Sequence, residues 1–134
     1  MKFTILGNPI AQARPRLGRG CVYDPNRDQK IKMKLLFKSQ MNQQGYLKAS
    51  GCPIFVKMHV YVQIPKSASK SKQTSLENVF HTRARPGDCD NIFKFYSDVM
   101  NTVVYDDDRQ ICKLNVEKRY SSIPRVEIEV NNLA

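Results

Sequence analysis

Segments in which apolar and polar residues alternate place the strongest limits on how this chain folds. Residues 54–63 read IFVKMHVYVQ, and residues 124–130 read PRVEIEV. Because successive side chains of a strand point to opposite faces, such alternation in Val- and Ile-rich sequence is typical of half-buried β-strands. Residues 2–6 and 110–120 are predicted to be strands as well. The chain therefore contains a sheet.

Two helices are predicted between these strands. The first covers about 27–44 and starts at the turn 24–26, whereas the second covers about 90–101 and follows a break at Pro86 and Gly87. Their apolar residues are Ile31, Leu35, Leu36 and Met41 in the first helix and, directed toward the core, Ile92, Phe93, Tyr96, Val99 and Met100 in the second.

The remaining segments complete a single mixed α/β domain over residues 1–134. A Lys/Ser-rich loop is predicted at 65–80, with a short helix near 70–78, and a brief strand at 103–105 leads into a turn at 106–109. The order of the main elements is β-α-β-α-β-β. A chain of 134 residues has room for one hydrophobic core and not for two.

Composition excludes several classes of protein. The apolar stretch 54–64 is interrupted by Lys57, His59 and Gln63, so no membrane span is expected. The N-terminal residues lack the pattern of a signal peptide, which predicts a cytoplasmic protein. The four cysteines form no CxxC pair and accompany only two histidines, so we expect free or buried thiols rather than zinc ligands.

Charge is distributed unevenly along the chain. The formal net charge is +10, and residues 1–86 contain 16 Lys and Arg against three acidic residues. Six of the twelve acidic residues lie within residues 87–108. A basic surface attracts a polyanion, and a concentrated acidic group within it is what a metal-dependent enzyme acting on nucleic acid requires. A basic surface that only aids solubility would leave the acidic group unexplained.

The acidic group falls into two parts. Asp88 and Asp90 precede or begin the second helix, where an extended backbone would point both side chains the same way, and Lys94 follows one helical turn later. The run 106–108 lies in the turn between two strands. Two or three converging aspartates are sufficient ligands for Mg²⁺, which would activate water and neutralise charge on phosphate.

Each acidic residue also has a purely structural interpretation. Asp90 alone is predicted to be a helix N-cap, and Asp98 to pair with Lys94 or face solvent. The run 106–108 alone would be a solvated turn. Three adjacent carboxylates repel one another unless a positive group is near, so the joint pattern favours a metal site.

The central motif resembles that of the RusA family of Holliday junction resolvases. The string 86–94 matches the family's P-D-x-D-N-x-x-K except that Gly87 is inserted, and 104–110 matches V-[WY]-x-D-D-x-Q. Arg14-Pro15-Arg16, the Lys/Ser segment 65–72 and the closing strands are similar as well, so the resemblance covers nearly the whole chain. Family members often come from phages or prophages.

By position, this resemblance assigns roles to individual residues. It implies Asp88, Asp90 and Asp108 as metal-binding catalytic carboxylates and Lys94 as the catalytic lysine. Asp107 is the neighbouring acid and a further metal ligand, although a shift by one residue would assign the pair to Asp106 and Asp107. Mg²⁺ is the implied cofactor, with Mn²⁺ as a substitute.

Basic residues outside the motif are candidates for DNA contacts. As a group they are expected to bind the phosphate backbone, which positions a duplex without reading its sequence. They are Arg14, Arg16, Arg19, Lys66, Lys70, Lys72, Arg83 and Arg85. His81 is interpreted as a solvated loop residue near phosphate, and Phe80, Tyr96 and Tyr105 as core residues.

The resemblance implies a Mg²⁺-dependent endodeoxyribonuclease that resolves four-way junctions by paired symmetric cuts in recombination and repair. It also implies a homodimer, since two symmetric cuts need two sites related by a two-fold axis. No small-molecule substrate is expected. A nuclease for flaps or forks is one alternative, and a non-catalytic DNA-binding module is the other.

Overall fold

The alternating segments form the sheet of the protein in a computed structural model that describes residues 1–133. The main sheet contains β1 (Lys2–Leu6), β4 (Ile54–Gln63), β5 (Ile111–Ser121) and β6 (Arg125–Asn132), and a separate hairpin contains β2 (Arg16–Gly18) and β3 (Cys21–Tyr23). The helices are α1 (Arg27–Gln44), α2 (Lys70–Leu76) and α3 (Cys89–Met100), and a 3₁₀ turn covers Asp108–Gln110.

The main sheet is mixed and has the strand order β1-β6-β4-β5. Strand β4 is parallel to β5 and antiparallel to β6, and β6 is antiparallel to β1. Because β4 and β5 are parallel, the chain must cross from one end of the sheet to the other between them, and α2 and α3 lie in that crossover. The predicted mixed α/β domain is therefore confirmed. The short helix predicted near 70–78 is present as α2, and the β2–β3 hairpin is an addition to the predicted order.

One face of the sheet carries the core. Ile54, Val56, Met58 and Val60 of β4 are almost completely buried, and the intervening residues of that strand are only half-buried. Strand β6 follows the same alternation. The buried side chains of both strands therefore lie on one face, and the opposite face remains open to solvent.

The helices cover the apolar face unequally. Helix α3 buries Ile92, Phe95, Tyr96, Val99 and Met100, so its predicted orientation is confirmed, although Phe93 is only half-buried and Phe95 takes the core position. Helix α1 buries only Phe37 and Met41. Its other predicted apolar residues are exposed: Ile31, Leu35 and Leu36.

Three local predictions were wrong. Residues 103–105 do not form a strand, because the amides of Val103 and Val104 both bond to the carbonyl of Met100 and turn the chain at the end of α3. Phe80 is 57% exposed and stacks against the Arg119 guanidinium rather than entering the core. His81 is buried beside Tyr120 instead of lying in solvent.

All four cysteines are free, as expected. Among residues 1–133, no helix combines the length and apolar character needed to cross a membrane.

Candidate active site

The first acidic group lies at the N-terminal end of α3. Asp88 is the N-cap residue, with the extended backbone angles φ −75° and ψ 157°, and Asp90 lies in the first helical turn. The prediction of Asp90 as the N-cap was therefore wrong by two residues, and the two aspartates do not share an extended segment. Lys94 lies one turn after Asp90 on the same helix, as the spacing predicted.

The segment before α3 is tightly fixed. A Cβ on Gly87 would lie 2.7 Å from the Cβ of Ala11, so only glycine allows this close approach to the N-terminal loop. The Lys118 ammonium donates to the Gly87 carbonyl at 2.9 Å, and the amide of Gln12 donates to the carbonyl of Asn91 at 3.0 Å. Gly87, the departure from the family motif, thus serves packing at the start of α3.

Tyr105 joins the second acidic group to α3. Its ring is buried, and its hydroxyl donates to the carbonyl of Ser97 at 2.9 Å. Burial raises the pKa of the Tyr105 phenol, so this hydroxyl remains a donor. Because the aspartates 106–108 follow directly in the chain, this bond positions them beside α3.

Gln110 fixes the conformation of the aspartate run. Its side-chain oxygen accepts hydrogen bonds from the amides of Asp106 and Asp107 at 2.9 and 3.0 Å. Its side-chain nitrogen donates to the carbonyls of Cys52 and Ala49 at 2.9 and 3.3 Å. The glutamine of the motif therefore ties the acidic turn to the connector before β4.

Three of the clustered aspartates have partners within the protein. Asp98 accepts from the Lys30 ammonium at 3.2 Å, which corrects its predicted pairing with Lys94. Asp106 pairs with Lys48 at 3.1 Å and accepts from the Ser50 hydroxyl. Asp107 accepts from the amide of Arg109 at 2.9 Å, and this bond is the main cause of the lowered pKa of its carboxyl.

The other three aspartates and the lysine lack such partners. Within residues 1–133, no cation lies within 4 Å of Asp88, Asp90 or Asp108, and no acidic group lies within 4 Å of Lys94. All four residues are exposed. These residues are the four that the sequence motif singled out as catalytic.

The electrostatic environment of Asp108 connects the acidic turn to α3. Partial burial of its oxygens raises the pKa of this carboxyl, and the hydrogen bond and charge of Asp107 raise it further. The charge of Asp98 adds to this effect, while Lys94 lowers the pKa. Asp108 and Lys94 are therefore close enough to interact across the space between α3 and the 3₁₀ turn.

The donors present are suited to a hard cation. Mg²⁺ takes carboxylate oxygens and keeps several waters, so one or two carboxylates and a phosphate can hold it. Asp108 and Asp107 form one close carboxylate pair, and Asp88 and Asp90 present exposed carboxylates at the start of α3. In the described part of the chain, no three Asp, Glu, His or Cys side chains are gathered into a ready-made metal cage. Metal binding would thus use few protein ligands.

The eight predicted DNA-contacting cations are accessible. All of them are exposed, and across the described residues none forms an ion pair within 4 Å. They occur in three places: the β2–β3 hairpin and the loop before it, the segment leading into and forming α2, and the loop before α3. These side chains are free to approach a polyanion.

Comparison with known proteins identifies the family. The sequence matches the family of endodeoxyribonuclease RusA over residues 7–131. The chain belongs to the RusA endodeoxyribonuclease family. It is also 33% identical over 142 aligned positions to the uncharacterized protein YqaN of Bacillus subtilis (strain 168), an alignment that covers 100% of this chain and 97% of YqaN.

Sequence reasoning missed the lysines that join α1 to α3. The Lys34 ammonium donates to the carbonyls of Asp98, Val99 and Asn101 at the C-terminal end of α3, and Lys30 bridges Asp24 and Asp98. No role was predicted for either lysine. The available signal was spacing, because residues 30, 34, 37 and 41 recur on the face of α1 that enters the core.

Proposed function

We propose that this endodeoxyribonuclease resolves four-way DNA junctions in recombination and repair, using Mg²⁺, with Mn²⁺ as a substitute. The observation that carries the proposal is that, within residues 1–133, four charged groups of the motif on α3 and the 3₁₀ turn have no oppositely charged partner within 4 Å: Asp88, Asp90, Lys94 and Asp108. Neighbouring carboxylates are satisfied by lysines or amides, so these four remain available for metal and phosphate.

The chemistry is hydrolysis of a phosphodiester. Water adds to phosphorus, the bond to the 3′ oxygen breaks, and the products carry a 5′ phosphate and a 3′ hydroxyl. Bound Mg²⁺ would neutralise phosphate charge and acidify the attacking water. Asp88, Asp90 and Asp108 would hold the ion, with Asp107 as an additional ligand. The Lys94 ammonium would donate to the oxygen on which negative charge develops.

Substrate binding would use the exposed cations around the site. Their contacts go to phosphate rather than to base edges, so they give affinity and orientation without sequence preference. Two cuts placed symmetrically on a junction require two sites, which a two-fold homodimer provides.

The direct test is cleavage of a labelled synthetic four-way junction and of linear duplex, with Mg²⁺ and with EDTA. We expect paired symmetric nicks only on the junction and only with Mg²⁺. Asp88→Asn, Asp90→Asn and Asp108→Asn should each abolish nicking while leaving junction binding largely intact. Loss of binding together with cleavage in a folded variant would contradict the division between carboxylates that react and cations that bind.

Two alternatives predict different results in the same assay. A nuclease for flaps or replication forks would cut those structures in preference to the junction. A DNA-binding module would bind tightly and produce no nicks with any divalent metal. The second alternative gives no reason why four charged side chains of one motif have no oppositely charged partner within 4 Å in the part of the chain that the structure describes.

A further inference from the structure

One face of α1 takes no part in the fold. Five residues recur along it at spacings of three and four, which is the pattern of a helix–helix contact. All five are exposed, and together they define the α1 seam: Asp28, Ile31, Leu35, Lys38 and Asn42. Ile31 is 51% exposed and Leu35 is 62% exposed, although both are large aliphatic residues. A different face of the same helix supplies Phe37 and Met41 to the core.

The two charges of the α1 seam also lack partners. Within residues 1–133, neither Asp28 nor Lys38 has an oppositely charged group within 4 Å. They are ten residues apart, or about 15 Å along the helix, so they cannot pair with each other in one chain. Along the seam, the acidic Asp28 thus lies on one side of the aliphatic centre and the basic Lys38 lies on the other.

We propose that two copies of this chain associate through their α1 seams, packed antiparallel about a two-fold axis. An antiparallel pairing centred on residue 33 places Ile31 against Leu35 of the partner subunit. The same register places Asp28 against Lys38 of the partner subunit, and it does so twice because the contact is isologous. A single register therefore satisfies both the apolar and the charged residues of the seam.

The composition of the seam favours a second copy over other occupants. A polyanion would be attracted by Lys38 but would gain nothing from Ile31 and Leu35 and would be repelled by Asp28. In the antiparallel register, the seam of a second copy matches both the aliphatic and the charged residues of the first. An unrelated partner has no reason to match both. The charge pairs would also offset part of the repulsion between two molecules of net charge +10.

This interface would also connect the two active sites. Lys30 and Lys34 bond α1 directly to Asp98 and the end of α3, the helix that carries Asp88, Asp90 and Lys94. The α1 pair would then set the distance between the two sites on one substrate. The inference rests on the proposed function for the requirement of a dimer, and it specifies the surface that forms it.

The experiment measures the dissociation constant of the full-length protein by sedimentation equilibrium. We expect a dimer, and we expect I31E/L35E to weaken it by about 100-fold or more, because the variant buries two charges at the centre of the contact. The matched control is Leu36→Glu, an exposed leucine of the same helix that lies about 120° from the centre of the seam. This control should leave the dissociation constant unchanged. Circular dichroism of each variant confirms that α1 remains folded.

Charge reversal tests the register itself. Asp28→Lys and Lys38→Asp should each weaken the dimer by about tenfold, because each places like charges opposite one another. The double variant D28K/K38D should restore the dissociation constant of the wild-type protein, since the reversed charges again face each other across the two-fold axis. Additive weakening in the double variant would overturn the antiparallel register.

Other outcomes overturn the interface without affecting the proposed chemistry. A wild-type protein that is monomeric at all concentrations, or an I31E/L35E variant that remains a full dimer, would remove the α1 seam as the contact. Junction nicking and its loss in Asp108→Asn are measured independently of these results. A wild-type dimer that fails to nick any branched DNA would instead contradict the proposed function while leaving the interface in place.

Discussion

The two ends of α3 carry the same type of side chain in opposite situations. At the C-terminal end, Asp98 is held by Lys30, and Lys34 binds the carbonyls that end the helix. At the N-terminal end, across residues 1–133, Asp88 and Asp90 have no cation within 4 Å, and Asp108, in the 3₁₀ turn beside the same helix, has none either. A carboxylate here is structural where the fold supplies a lysine and available for chemistry where it does not.

The largest expected effect distinguishes Asp108 from Asp106, two aspartates of the same turn. Asp108→Asn should lower junction cleavage by about a thousandfold or more, because the variant would lose a proposed ligand of the metal ion. Asp106→Asn is the matched control, since Asp106 is occupied by Lys48 and Ser50, and it should retain activity within a few-fold. Single-turnover cleavage rates measure both. A larger loss in Asp106→Asn than in Asp108→Asn would assign the reacting pair to Asp106 and Asp107.

Lys30 is the cation that holds Asp98 near the C-terminal end of α3. Lys30→Met should destabilise the protein by about 1–3 kcal/mol, because Asp24 and Asp98 would both lose the cation that bridges them. Urea denaturation measures the free energy of unfolding, and Lys30→Arg should recover most of it. Lys94→Met, at the middle of α3, should leave stability nearly unchanged while lowering cleavage. Equal stability losses in Lys30→Met and Lys94→Met would contradict the distinction between lysines that hold the fold together and lysines that are free for chemistry.

Replacing Gln110 tests whether the conformation of the aspartate turn 106–108 depends on the hydrogen bonds of this side chain. Gln110→Ala removes two hydrogen bonds to the amides of Asp106 and Asp107 and two to the connector before β4. Their loss should lower the free energy of unfolding by about 1–2 kcal/mol. Cleavage should fall through displacement of Asp108, with junction affinity unchanged. Binding assays and cleavage rates on one protein sample distinguish the two effects. A variant with full cleavage activity would show that the turn holds its shape without the glutamine.

The smallest expected effect concerns the buried His81. Burial lowers its pKa, and the charges of Lys118 and Arg83 lower it further. The unfolded chain, with a histidine pKa of about 6.5, therefore binds a proton more readily than the folded protein does. The stability contributed by neutral His81 is complete above the histidine pKa of the unfolded chain. It is lost as the pH falls below that pKa and through the lower pKa of the folded protein. Unfolding free energies at pH 8 and pH 5 should differ less in His81→Asn than in the wild-type protein, and an unchanged difference would contradict this.

Much of the site was predictable because its signals are local. The spacing of Asp90 and Lys94 places both on one helix face whatever surrounds the helix. The alternation in β4 and β6 likewise depends only on the period of a strand, and both strands formed where predicted. The N-cap was misassigned because Asp88 and Asp90 are chemically equal candidates, and only the path of the chain around Gly87 distinguishes them.

The less predictable features depend on residues distant in the chain. Lys30 and Asp98 are 68 residues apart, and no local rule pairs them rather than Lys94 and Asp98. Val103 to Tyr105 have strand-like composition, but the bonds to Met100 and the bridges to Ala49 and Asn101 give a turn. Phe80 is exposed because β5 brings Arg119 beneath its ring, a contact between segments about forty residues apart.

The sequence by itself determined the family, the residue types of the site and the period of each main element, because these depend on neighbours a few positions away. Only the tertiary structure decided which charges are neutralised. It brought Lys30 to Asp98 and Lys48 to Asp106, and among residues 1–133 it left Asp88, Asp90 and Asp108 without a cation within 4 Å. The physical reason is that ion pairing depends on distances of a few ångströms in space, and those distances exist only after the helices have packed on the sheet.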